Sequence, residues 1–494
     1  MKGIADQITS AGHEAYLVGG CLRDLLLGKE PKDWDIATSA KPEEVQRLFS
    51  DSVYENQFGT VGIKTNSGDP RQKIIEVTTF RLEGKYTDKR HPDEIKFAKT
   101  IEEDLSRRDF TINAMAFEVT SHKRRIEGLV DPFGGLEDLR AGTVRTVGNP
   151  EERFREDALR LMRAPRFAVE LGFQIEPNTR KAIEELSGEL EMIAKERIRD
   201  EFVKILEASE AAKGVRLLEE LKLLRHILPE LREGLGIDQN WHHKYNVFEH
   251  SIRALDYAAK KGYPLHVRLA ALLHDIGKPR SRDWKNNPRG EKMRDGKRGD
   301  WTFYQHQYIG ARMTIPALDR LRFSRPFIKK VEHLVRQHMF YYNTGEVTER
   351  GIRRIVARVG AENIPDLLKV READRIGSGV EKAVPYKMRH FLFMIEKAQR
   401  DPTSVKMLEV RGDDVMRILR IGEGPKVGWV LWALLDEVLD DPDRNKREQL
   451  EARIKELSSS SDEELQKMME NAKKKIAEAE EEIEGEMKQK HRVR

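Results

Sequence analysis

Cysteine is almost missing from this chain. Among 494 residues there is one, Cys21. A single thiol excludes an internal disulfide framework and any zinc site built on clustered cysteines, and it fits a reducing compartment. Long apolar runs are missing as well. None approaches the ~20 residues of a membrane span. The opening MKGIADQITSAG has no apolar core of the secretory kind. The expectation is a cytoplasmic protein with no membrane contact. A dominant charge sign is also lacking, since 89 Lys and Arg stand against 85 Asp and Glu, a formal +4. Any nucleic-acid surface therefore has to be a local patch rather than a global field.

What is present is a long, charged chain with enough apolar residues (38%) for several cores. Its length is that of about three domains or more. Strand and helix signals mix over residues 1–145. AYLVGG, VGIKT, KIIEVTTFR and INAMAFEV read as strands, and CLRDLLLG and KPEEVQRLFS as helices. From 146 to 235 the pattern is helical, opening with Asn149 as an N-cap. Gly234 and Gly236 mark a boundary, and a second helical block covers 236–400. Within it, residues 280–300 hold eight basic and four acidic residues among glycines, which predicts a solvated loop. A helical tail at 401–457 precedes a charged helix at 458–494. There Ser461 and Glu464 form a capping box, and Leu465, Met469, Ala472, Ile476, Ala479 and Ile483 form a heptad seam that Gly485 is expected to end. The seam is equally compatible with folding back on the chain, with fraying and with a dimer zipper, so the oligomeric state stays open.

The stretch VGGCLRDLLLGKEPKDWDIAT carries the first chemistry. Residues i and i+2 of a strand share a face, so Asp33 and Asp35 are expected side by side. Two such carboxylates repel and raise each other's pKa unless a divalent cation lies between them. Mg²⁺ held in this way serves nucleotidyl transfer, activating a hydroxyl nucleophile and neutralising the departing pyrophosphate. Gly19 and Gly20, at a helix start, let backbone N–H groups approach a phosphate, and Arg23 lies one turn on. Glu76 is a third carboxylate on a neighbouring strand. Taken alone, the aspartates fit a turn after Pro31 better than a metal site; with Gly19, Gly20 and Arg23 ahead of them, the two readings stand even.

Further segments decide between these readings. With GGCLRDLLLG and KDWDIAT, the stretches SRRDFTINAMAFE, DPFGGLEDLRAG, REDALRLMRAPRF and KERIRDEF follow in order. This series resembles the five motifs of the class II tRNA nucleotidyltransferase and bacterial poly(A) polymerase family. The resemblance implies an α/β nucleotidyltransferase head with a mixed, polymerase-beta-like sheet of about five strands, followed by an all-α neck and body. It implies that Asp33 and Asp35 hold the metal. Arg107, Arg108 and Asp109 would hold the triphosphate and ribose, with Asn113 and Arg163 beside the nucleotide. Asp157 and Arg160, expected one turn apart on one helix face, would read the base edge. The carboxylate accepts from the exocyclic amine of C or A and the guanidinium donates to ring acceptors, an order that G and U do not match. Pro165 departs from the family's aliphatic residue and is expected to bend this helix. Residues 81–97 resemble the loop of CCA-adding and A-adding members. The implied reaction is addition of CTP- and ATP-derived nucleotides, CCA or terminal A, to the tRNA 3′ end, with poly(A) synthesis as the weaker alternative.

A second set of residues has metal-ligand character. His250, the pair His274-Asp275, His306, His338 and Asp374 are spread over helical segments, and a buried His-Asp pair is costly unless it coordinates something. LAALLHDIGKP with these flanking residues resembles the HD phosphohydrolase superfamily. That implies a divalent transition metal or Mg²⁺, Lys278 near a phosphate, and phosphatase or 2′,3′-cyclic phosphodiesterase chemistry. A rival reading makes this the working site and leaves the head as a binder of RNA or nucleotide. GDDVMRILRIGEGPKVGWVLWALLDEV resembles the tail of HD-containing members.

Overall fold

The computed structural model describes all residues except 57–58, 84–94, 120–127, 240–243, 293–297, 341, 345–346, 400–404 and 494. Most of the family loop expected at 81–97 lies outside the described residues, as does the side chain of the seam residue Ala479. The chain divides into two compact units. One is Met1–Met339 with Pro365–Ala383, and the other is Phe340–Ile364 with Val384–Arg494. Among the described residues no helix is long and apolar enough to cross a membrane.

The first unit opens with nine short strands, β1 (Ala15–Val18), β2 (Asp35–Thr38), β3 (Ser52–Asn56), β4 (Thr60–Lys64), β5 (Ile74–Thr79), β6 (Arg81–Glu83), β7 (Ile95–Phe97), β8 (Ala116–Glu118) and β9 (Leu129–Val130). Seven of them form one sheet in the order β3-β4-β5-β2-β1-β8-β9, and β6 pairs with β7 apart from it. β2 and β5 run parallel and the other neighbours antiparallel, so the sheet is mixed. Among the described residues it has seven strands rather than five because β3 and β9 extend its edges. Alternation sorts the side chains. Ile36, Ile75 and Val77 join one apolar cluster with Ala5, Ile8 and Val45 from the covering helices. Ala37, Val18, Phe80 and Ala116 join another with Ile101 and Leu105. Asp35 is thus on the Ala37 side of its strand.

Helices follow. Asn149 caps Pro150–Glu156 through its side-chain oxygen, as the sequence predicts. The helix Arg160–Leu171 runs on through Pro165 to a Gly172 cap. Asp157, expected on that same helix, is instead the extended C-cap of Pro150–Glu156 (φ −136°, ψ 102°). The chain turns between the two helices because the Asp157 side chain accepts from the Leu159 N–H at 3.0 Å, a local bond that competes with helix continuation. Helices Val247–Lys260, Leu265–Leu273, His306–Arg320, Arg325–Gln337 and the length of Ile364–Gly377 from Pro365 on complete the first unit. The loop predicted at 280–300 is largely a two-stranded antiparallel ribbon, Asp283–Lys292 with Arg298–Thr302. Its charge and glycine content hid a cross-strand pair, Trp284 opposite Trp301.

In the second unit the helix Asp462–His491 starts at the expected capping box, Ser461 N–H to Glu464 at 2.8 Å. It continues through Gly485, where packing overrides the local weakness. Its seam faces the chain itself. Leu465 and Ile476 are buried in a core with Val430, Leu434, Ile454 and Leu457. Lys397–Glu484 (2.6 Å) and Lys475–Asp436 (3.1 Å) flank it.

Candidate active sites

One cavity of about 870 Å³ collects most of the residues that the head motifs single out. Gly19, Gly20, Arg23, Asp33, Asp35, Arg107, Arg108, Asp109, Asn113, Asp157, Arg160 and Arg163 all line it. Its volume suits a small-molecule site. Gly19 sits where β1 meets the helix Gly19–Leu26, at φ +70°. A Cβ there would stand 3.0 Å from Arg108 Nη1 and 3.5 Å from Asp35 Oδ2. The glycine therefore gives both the left-handed turn and the room for a guanidinium beside a carboxylate.

Asp33 precedes β2 in a bend, so the pair does not share a strand as expected. Pro31 and the following bend delay the strand until Asp35, yet both carboxylates reach the same cavity. Glu76 is the register partner of Asp35 on β5, and it is exposed outside the cavity lining. Burial, then the charges of Asp33 and Glu76, push Asp35 up to about 6. A half-buried carboxylate crowded by two others fits a divalent cation, with Asp33 and Asp35 as the holders.

The remaining residues are locked by one another. Arg23 pairs with Asp24 at 2.6 Å and donates to Asn113 Oδ1 at 2.9 Å. Arg107 and Arg108 both lean on the buried Asp104, at 2.9 and 3.2 Å. Asp109 accepts from Arg163 Nε at 2.6 Å and from Asn113 at 3.3 Å. Burial works against its charge, but Arg163 and Arg160 overcome this and hold the carboxyl down at about 2. Asp109 is therefore a fixed acceptor at any working pH.

Asp157 and Arg160 line the cavity without pairing. Arg160 is buried and held by Glu156 at 2.7 Å and by the carbonyls of Arg153 and Arg107, both at 3.0 Å. Asp157 is gripped by Arg197, Nη1 to Oδ1 at 3.3 Å and Nη2 to Oδ2 at 2.9 Å. Arg197 lies in KERIRDEF, on the helix Lys195–Glu207 that packs against Arg160–Leu171. Sequence reading matched that motif but gave Arg197 no role, because nothing in its spacing points to a partner 40 residues upstream. Lys32, Arg81, Arg166 and Lys204 also line the cavity and were missed. A count of basic residues per motif could have found Lys32 and Arg166, but Arg81 and Lys204 lie outside the motifs.

The second site also gathers as the sequence predicts. His250 comes from the interior of Val247–Lys260 and Asp374 from Ile364–Gly377. His274 and His338 end their helices, Asp275 follows in the turn, and His306 starts its own helix. The Nε2 atoms of His250 and His274 lie 2.9 Å apart, and those of His306 and His338 lie 3.3 Å apart. Asp275 spans the two sets. Its Oδ2 is 3.1 and 3.2 Å from His250 and His274, and its Oδ1 is 3.3 and 3.8 Å from His306 and His338. Asp374 Oδ1 is 3.3 Å from His250 and 3.6 Å from His274. The Nδ1 atoms of His274, His306 and His338 each lie 2.7 Å from a carbonyl, of Ala271, Phe303 and Val335. Each Nδ1–H therefore donates outward, which leaves the Nε2 lone pair aimed inward, the arrangement of a metal-binding imidazole. Such acceptors lie this close only around a proton or a cation. Burial opposes a charge on His274, but Asp275 and Asp374 hold its pKa well above the ordinary range. Burial and then the neighbouring His274 and His306 keep His338 low. Two groups, His250–His274–Asp275 and Asp275–His306–His338, have metal-holding geometry and share one carboxylate. Lys278 sits 2.6 Å from Asp275 Oδ2, and Arg371 sits 2.7 Å from Asp374 Oδ2. Neither contact was foreseen.

Comparison with known proteins gives the same partition. Residues 15–145 match the poly A polymerase head domain, 172–235 the probable RNA and SrmB-binding site of polymerase A, and 247–378 the HD domain. A CCA-adding enzyme of Leuconostoc mesenteroides is 48% identical over 215 residues, 43% of this chain and 51% of the relative. Those of Leuconostoc citreum and Limosilactobacillus fermentum are likewise matched over 53% and 56% of their length, so the chain spans about half of these relatives. An A-adding tRNA nucleotidyltransferase of Deinococcus radiodurans is 33% identical over 433 residues, 85% of this chain and 91% of the relative. The crystal structure of the Bacillus stearothermophilus CCA-adding enzyme in complex with CTP superimposes with a TM-score of 0.58 at 28% identity, covering 92% of this chain and 96% of that one. The ordered head motifs, the shared cavity and this near full-length relative together place the chain in the class II CCA-adding and A-adding nucleotidyltransferase family, with an HD domain after the head and neck.

Proposed function

We propose that the chain adds nucleotides from CTP and ATP, CCA or the terminal A, to the 3′ end of tRNA. The observation that carries this reading is the single cavity in which Asp33 and Asp35 meet Asp109, Asp157 and Arg160. Mg²⁺ held by Asp33 and Asp35 would ease deprotonation of the attacking hydroxyl and neutralise the triphosphate. Arg23, Arg107 and Arg108 offer guanidinium groups to the phosphates. Asp109, ionised at every working pH, accepts from a ribose 2′-hydroxyl that a deoxynucleotide lacks. Asp157 is already bonded to Leu159 N–H and Arg197, and it keeps acceptor capacity for the exocyclic amine of C or A.

We assign catalysis to 1–145, template and RNA contacts to 146–235 and the metal cluster to 236–400. A cytoplasmic location accords with the lone buried Cys21. The test uses tRNA ending before CCA and tRNA ending in CC, each with labelled CTP or ATP. Incorporation of ATP into the second alone marks an A-adding enzyme, and incorporation of both labels into the first marks CCA addition. Incorporation of neither, in folded protein, overturns the reading.

A second activity rests on the Asp275-bridged cluster. His250, His274, His306, His338, Asp275 and Asp374 would hold one or two divalent ions, transition metals by their imidazole content. A bound cation supplies a water that is acidic near neutral pH and suited to phosphoester hydrolysis. His274→Ala with Asp275→Ala should abolish metal-dependent hydrolysis of 2′,3′-cyclic phosphates while nucleotide incorporation continues.

A further inference from the structure

The ribbon Asp283–Lys292/Arg298–Thr302 stands between two parts of the metal cluster. Its first strand follows Lys278–Ser281, whose Lys278 pairs with Asp275. Its second strand runs into Phe303, whose carbonyl accepts from the Nδ1–H of His306. Lys278 Nζ also lies 5.8 Å from the Phe303 ring. Both feet of the ribbon thus spring from the rim of the cluster. Between the ribbon and His306, Gln305 takes the left-handed conformation at φ +61°. The turn leaves Tyr304 67% exposed while His306 is buried. A strained non-glycine residue next to a metal-type ligand is the kind of feature that persists at functional sites.

At its base the ribbon sets aromatic rings beside cationic groups. Trp284 and Trp301 are cross-strand partners, edge to face at 4.9 Å. The Arg282 guanidinium lies 3.6 Å from the Trp301 ring, and Lys285 lies 4.7 Å from the Tyr304 ring. Arg282 Nε is shielded from water and makes no hydrogen bond among the described residues. Aromatic rings for bases beside the Arg282 and Lys285 cations for phosphates are the elements of a single-strand platform. Base stacking is tolerant of sequence, which suits a hydrolase that has to hold the end of a strand.

We infer that this ribbon is an arm that binds single-stranded RNA by stacking and phosphate contacts and leads its 3′-terminal phosphate to the cluster bridged by Asp275. The inference rests on the phosphoesterase reading of that cluster and adds the ligand and the surface that holds it. The arm does no chemistry. It raises the local concentration of one class of substrate.

Two measurements on the full chain test it. The first compares the wild type with the Lys285→Ala, Tyr304→Ala double variant, both residues being exposed. The substrates are a short single-stranded RNA ending in a 2′,3′-cyclic phosphate and bis(p-nitrophenyl) phosphate, each with Mn²⁺, Ni²⁺, Co²⁺ or Mg²⁺. The KM for RNA should rise about tenfold, the loss of one stacked base, with kcat and turnover of the small diester unchanged. An unchanged KM overturns the arm. The second measurement is photo-crosslinking of the same RNA carrying 4-thiouridine near its end. Label within 282–304 supports the arm. Label confined to other segments overturns it. If the wild type hydrolyses neither substrate with any cation, the phosphoesterase reading fails, and the crosslink alone decides whether the ribbon holds RNA.

Discussion

Removing the Arg197 side chain beyond its stem, as in Arg197→Met, should blur base selection without stopping transfer. Arg197 supplies two of the three hydrogen bonds that orient Asp157, at 2.9 and 3.3 Å. Bonds to charged groups contribute about 1.5–3 kcal/mol. One of these is long, and the side chains are 25% and 17% exposed, so solvent replaces part of the loss. About 1–2 kcal/mol of orientation remains at stake, or roughly 5–30-fold in relative kcat/KM. The assay measures kcat/KM for CTP, ATP, UTP and GTP on tRNA ending before the acceptor nucleotides. The ratio of correct to incorrect nucleotide should fall by that factor. Because it is a ratio within one sample, a smaller folded fraction cancels. Arg197→Lys keeps the charge but not the two-pronged geometry, and it should recover selectivity only in part. A selectivity ratio unchanged in Arg197→Met would refute the proposal that Asp157, positioned by this guanidinium, reads the base.

Gly19→Ala should cost at least tenfold in kcat, because φ +70° and a Cβ 3.0 Å from Arg108 Nη1 force the guanidinium away from Asp35. Single-turnover incorporation checks this, and full activity would deny the close approach. Asp35 is pushed up to about 6 by burial and its acidic neighbours, so the metal-free fold binds a proton there that the unfolded chain has already released. Its contribution to stability is accordingly lost as pH rises from about 4 to 6. Thermal denaturation in chelator should show that slope, and it should be weaker in Asp35→Asn. Divalent-ion binding at this site should weaken about tenfold per pH unit below 6. Leu465→Ala should destabilise the second unit by about 2–5 kcal/mol, a buried-leucine deletion. Sedimentation should show no change in mass, because the seam packs on its own chain. Dissociation of a dimer would refute that.

Local pattern and covalent order were enough to identify much of this protein. The strand Ala15–Val18, the glycine entry to its helix and the caps at Asn149 and Ser461 follow from residue type and spacing, because capping and alternation act within a few residues, and the residues of the histidine cluster were marked by their resemblance to the HD motif. Tertiary packing decided the rest. It brought Arg197 across from another helix to Asp157, whereas the bend at Asp33 and the helix break at Asp157 are local. It turned a charged, glycine-rich stretch into a ribbon around one tryptophan pair and folded the last heptads onto Val430 and Leu434. Each of these tertiary outcomes depends on partners tens of residues away. Their gain comes from burial and from satisfying buried charge, which no window of sequence contains.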